Sequence, residues 1–175
     1  GSFLQRYPLV ETSLDVDASG LPIPGGTRLR YGVDLIPMRG AAGAEATGGL
    51  SVVTGELDAA ALQNAALRGR HVAVVLPRGA APNRRALFGV LAAAGSSGAA
   101  SVMLVNADAD RAWESAAASA LRPSVSLPGE EGEGGSTTVP MLQIRAAALG
   151  SILQGAGKAP GMLDRQGGME VAAVP

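Results

Sequence analysis

The chain reads as a mixed α/β protein, with a β-sheet or open β-barrel core, flanking helices and a β-α-β unit. Three observations carry that reading. Two short runs of β-branched and aliphatic residues, His71 to Leu76 and Ala99 to Val105, are bounded by turn residues and suit strands buried on both faces. Between them Leu87, Val90, Leu91 and Ala94 recur at helical spacing behind Asn83, a residue suited to cap a helix. Residues 71–105 therefore have the length of a crossover joining two parallel strands.

The remaining elements follow in chain order. Tyr7 to Val16 is rich in strand-forming residues and ends at the turn Asp17-Ala-Ser-Gly20, so a first strand is expected there. Thr27 to Met38 alternates Leu29, Tyr31, Val33 and Leu35 against Arg28, Arg30, Gly32 and Asp34, which predicts one strand with a polar face. Leu50 to Thr54 is a third strand, and Glu56 to Leu67 carries a weak helical pattern ahead of Gly69. Gly95 is the expected left-handed cap of the helix that begins after Asn83. Asp108 to Leu121 predicts an Ala-rich helix holding the single Trp, Trp113, which suits edge packing better than a binding platform. Pro123 to Ser136 is turn-rich; Val139 to Ile144 then reads as a strand, Arg145 to Leu153 as a helix and Met169 to Val174 as a closing strand.

Composition bounds the function. A chain of 175 residues fits one structural domain. Within it, residues 1–49 are expected to pack as a lead-in, 50–155 to form the core and 156–175 to close it. Apolar residues make up 47% but aromatics only 3%, so the core must be assembled from Ala, Val, Leu and Ile. With 14 Lys and Arg against 15 Asp and Glu, and no basic run interleaved with aromatics, nucleic-acid binding is not expected. The apolar runs are far shorter than a membrane span. The opening Gly1-Ser2 has the look of a cleaved tag, and the chain begins without Met, which reads as a piece of a longer protein.

Most catalytic patterns fail on their own chemistry. A Ser/His/Asp arrangement needs a histidine base, and His71, the single histidine, stands at the start of an apolar strand where a structural role is the simpler reading. One His and no Cys cannot assemble a catalytic zinc site of the usual kind. Asp15, Asp17 and Ser19 copy the first half of a calcium loop, but Gly26 stands where the bidentate Glu belongs, so a hairpin turn is favoured over calcium binding. Gly155-Ala-Gly-Lys158 lacks the leading Gly and the Ser or Thr of a phosphate loop and reads as a helix end. No dinucleotide fingerprint follows a strand.

Three segments in order, Leu67-Arg-Gly-Arg-His-Val-Ala-Val-Val-Leu-Pro-Arg-Gly79, Leu91-Ala-Ala-Ala-Gly-Ser-Ser-Gly-Ala-Ala-Ser-Val-Met-Leu-Val-Asn106 and Thr138-Val-Pro-Met-Leu-Gln-Ile144, together resemble a protease-associated domain. Phe3-Leu-Gln-Arg-Tyr-Pro-Leu-Val10 is similar to the approach to that domain in zinc aminopeptidases of the transferrin-receptor-like superfamily. The resemblance implies a non-catalytic insert of an exported, bacterial peptidase, whether secreted, periplasmic or at the cell surface. Such an insert acts in substrate access, substrate selection or protein interaction. Its partners are the parent's catalytic domain and a peptide or protein substrate. No cofactor is expected in this chain, and zinc is expected in the parent's catalytic domain.

A second reading, from the residues alone, is a small α/β ligand-binding or enzymatic domain working at the carboxyl ends of the core strands. Arg78 and Asn106 are the candidate binding residues there, although a lone Arg after a strand is more simply a solvated turn residue. Glu130 and Glu131 complete the candidates; they sit in a Gly-rich acidic loop, where solvated charge is the plainer reading.

Overall fold

The computed structural model describes residues 8–17, 19–22, 28–39, 47–63, 65–79, 84–126, 139–164 and 167–174. Ten strands and four α-helices stand among them in the order β1 (Val10–Thr12), β2 (Gly20–Pro22), β3 (Arg28–Arg30), β4 (Leu35–Arg39), β5 (Leu50–Thr54), α1 (Ala59–Gln63), β6 (His71–Val75) and α2 (Arg84–Ser96). There follow β7 (Ser101–Val105), a 3₁₀ segment Ala107–Ala112, α3 (Trp113–Ala120), β8 (Ser124–Ser126), β9 (Met141–Ile144), α4 (Ala146–Gly155), a second 3₁₀ segment Pro160–Asp164, and β10 (Glu170–Val174). The protein is mixed α/β.

Six strands form the main sheet in the order β10-β5-β6-β7-β9-β4. Its four central strands run parallel, with registers such as Leu50 beside His71 and His71 beside Ser101, and an antiparallel strand closes each edge. Every residue of β5, β6 and β7 is buried, as parallel strands covered on both faces must be. Their side chains nonetheless alternate between two cores. Val53, Val72, Val74 and Val102 face α1 and α2, meeting Leu62, Val90, Leu91 and Ala94. Val52, Ala73, Val75, Met103 and Val105 face the opposite side and meet Leu149, Ile152 and Leu153 of α4 together with Leu21 and Leu29 of the β2–β3 pair.

The single strand expected over residues 27–38 is two. Gly32, with φ +79°, turns the chain at residues 31–34, its N–H donating to the Leu35 carbonyl at 2.7 Å. The alternation of Leu29, Tyr31, Val33 and Leu35 ran unbroken through that turn, yet Val33 is 44% exposed and belongs to no sheet. Trp113 closes the turn from α3: its indole N–H donates to the Gly32 carbonyl at 3.1 Å while its ring packs on Ile36 and Ala117. Packing, and not display, is its role here.

The end of α2 also differs from expectation. Gly95 lies inside the helix, and the left-handed residue is Gly98, φ +83°. Past Gly95 the helix continues: the Ser97 N–H donates to the Ala93 carbonyl, and the Ser96 and Ser97 hydroxyls donate to the carbonyls of Ala93 and Ala94. The expected helix over 108–121 divides into the 3₁₀ segment and α3, and the expected strand over 7–16 is the three-residue β1, paired with β8.

Candidate functional site

Open parallel sheets leave a crevice beyond the carboxyl ends of their strands, because each strand there departs into a loop that rises over one face or the other. This chain has such a cleft, with a volume of about 370 Å³. Its floor is Val75 and Val105, the last residues of β6 and β7. Ala107 and, from α4, Ala146, Ala147 and Gly150 line two further sides. Pro160, Gly161 and Leu163 of the second 3₁₀ segment form the third. Walls made of Ala and Gly are what leave the volume open: a Cβ added to Gly150 or Gly161 would meet nothing within 4 Å.

Among the described residues three ionisable side chains stand among these apolar surfaces. Arg78 Nε lies 2.6 Å from Asp164 Oδ1, joining the loop after β6 to the segment before β10, with both side chains more than half exposed. Asp110 Oδ1 accepts from the Ala146 N–H at 3.3 Å, so one carboxylate oxygen holds the first turn of α4. That is the only hydrogen bond of the Asp110 carboxylate among the described residues.

The candidates from sequence divide around this cleft. Arg78 is on its rim, ion-paired. Asn106 is beside it as a structural cap: its Oδ1 accepts from the Asp108 N–H at 3.1 Å at the start of the 3₁₀ segment Ala107–Ala112. Asp108 in turn accepts from the Gly79 N–H at 2.9 Å, which pins the loop that carries Arg78. Glu130 and Glu131 lie outside the described residues. Asp110 and Asp164 were not singled out from the sequence, since each joins the cleft only through partners 36 and 86 positions away. The spacing of Ala146, Ala147 and Gly150 on one helix face was the one local hint of a gap.

His71 stands away from the cleft, at the amino end of β6, with no exposed surface. Its Nδ1 is 2.8 Å from Ser101 Oγ, its register partner on β7, and its Nε2 has no hydrogen-bond partner among the described residues. Burial pushes its pKa below the ordinary 6.5, which keeps the imidazole neutral. A serine and a histidine in contact but sealed from solvent cannot reach a substrate. The neighbouring Arg70, which the sequence did not mark, is a clamp: Nε donates to Ser51 Oγ at 2.6 Å and Nη2 to the carbonyls of Leu50 at 2.6 Å and Val174 at 3.4 Å.

The other motifs resolve as local structure. The Asp15 carboxylate accepts from the Asp17 N–H at 3.1 Å and its carbonyl from the Ser19 N–H at 2.9 Å, forming a turn. Gly157, φ +69°, and Lys158 donate their N–H groups to the carbonyls of Gln154 and Leu153, the paired bonds of a glycine-terminated helix. Among the described residues no three His, Cys, Asp or Glu side chains gather as they would around a metal ion. No helix among them is long and apolar enough to cross a membrane. Comparison of the chain with protein-family models, with curated proteins and with solved structures returns no match.

Proposed function

We propose that the chain is a protease-associated domain, a non-catalytic module of an exported peptidase that governs substrate access, substrate selection or protein contact. The observation that carries this reading is how the resembling segments fold. Residues 67–79 turn at Gly69, φ +68°, into β6; residues 91–106 end α2, turn at Gly98 and enter β7; and β9 starts just after Val139-Pro140 and runs into α4. The Gly and apolar positions that make up the resemblance thus stand at the turns and in the buried sheet, where a domain of that kind would need them.

The chemistry of the chain supports the same reading. Its single histidine is sealed in the core, where no substrate can reach it. The zinc this function implies would sit in the catalytic domain of the same polypeptide, with this module beside the cleft.

The direct test is to remove residues 1–175 from the polypeptide that carries them and to compare kcat/KM for short and long peptides. A changed ratio, with hydrolysis of the shortest substrate kept, is the expected result. Turnover of aminoacyl or dipeptide reporters by the 175-residue chain alone would make it an enzyme and overturn the proposal.

A further inference from the structure

We propose that the cleft beyond β6 and β7 binds a small zwitterion, an α-amino acid or dipeptide with small apolar side chains. Its carboxylate would lie on Arg78 and its ammonium on Asp110. The inference is independent of the peptidase reading, since it rests on the cleft alone.

Size is the first argument. A volume of about 370 Å³ lies at the lower end of the range of small-molecule sites, and the floor and walls are aliphatic or as small as Ala and Gly. A cleft of that volume suits a methyl or short branched side chain.

Charge is the second. Among the described residues the cleft carries one cation and two anions, Arg78, Asp110 and Asp164, so a ligand bearing both signs can be matched at both ends. Among the described residues Arg78 is held only by an exposed ion pair, the weakest kind, so exchanging Asp164 for a ligand carboxylate costs little and gains a forked pair of bonds. The Asp110 carboxylate has one oxygen on the Ala146 N–H, and its other oxygen can take an ammonium that approaches over Ala107 and Ala147.

The test uses L-alanine and L-alanyl-L-alanine as probes, followed by amide NMR shifts of the 175-residue chain. Saturable shifts at Val75, Val105 and Ala146 are expected, and the tighter of the two probes shows whether amino acid or dipeptide is the better fit. Asp110→Asn and Arg78→Ala should each weaken binding about tenfold, as should N-acetylation or amidation of the probe, because each removes one charge-assisted bond. Gly150→Leu fills the cleft from α4 and should abolish the shifts. Its melting temperature should hold or rise, since Leu is a better helix former than Gly and the space is open.

Absence of saturable shifts up to about 10 mM probe, an affinity too weak to matter, would overturn the proposal. So would equal binding of the blocked probes, or binding that survives in a folded Gly150→Leu chain.

Discussion

His71 couples the core to pH. Its imidazole is buried and held neutral, with a pKa below the 6.5 it recovers when the chain unfolds. The unfolded state therefore binds a proton that the folded state refuses. This site leaves stability unaffected above about pH 6.5 and erodes it as pH falls from there towards the lowered folded value, by at most about 1.4 kcal/mol per pH unit. His71→Asn keeps an amide that can meet Ser101 Oγ and removes the titration. Chemical denaturation at pH 7.5 and pH 5.5 should show a smaller loss of stability in the variant than in the parent chain. An equal loss would mean that carboxylates, and not His71, set the acid limit. At the same scale the Ser101 partner was invisible in the sequence: only the parallel register places it beside a residue 30 positions earlier.

At the scale of elements, strands buried on both faces were the most readable. Leu50–Thr54 is the strand expected, and β6 and β7 fall within two residues of expectation, because a continuous β-branched run has nowhere to go but between two layers. The three-residue strands β2 and β8 were not readable, since so short a strand exists only through its partner across the ladder. The break at Gly32 was hidden for a related reason: alternation continued across it, and Trp113, which braces the turn through the Gly32 carbonyl, comes from an element more than 80 positions on. Arg70 belongs to this scale because it joins elements. By bonding Ser51, Leu50 and Val174 it fastens β10 to β5 and both to the start of β6. Arg70→Ala should cost roughly 2–3 kcal/mol, the worth of a charge-assisted bond and its weaker companions. Hydrogen exchange should accelerate first in β10, the edge strand; uniform acceleration across the sheet would show that Arg70 does not fasten the edge.

At the scale of the whole molecule, one sheet serves two cores. Val52 and Val53 are neighbours in sequence, yet the first packs towards α4 and the second towards α1 and α2. Neither core can dissolve without exposing the strands it shares with the other, so unfolding should be a single transition. Trp113 fluorescence, which reports the small cluster with Ile36 and Ala117, should move together with far-ultraviolet circular dichroism. Val52→Ala and Val53→Ala should each cost about 1–3 kcal/mol and lower both signals at the same temperature, by about 2–4 °C per kcal/mol. Separate midpoints would show that the two layers fold independently.

The sequence by itself determined the class of the protein, the β-α-β unit and the buried strands. Those features arise from local periodicity and from the need of apolar runs to leave water. It also placed Arg78 at a strand's carboxyl end. Only the tertiary structure decided what Arg78 meets there, because Asp164, Asp110 and the small residues of α4 reach the cleft from turns and a helix far along the chain. Charged groups that come one each from three separate segments have no spacing to read; they meet when the sheet brings its strand ends together.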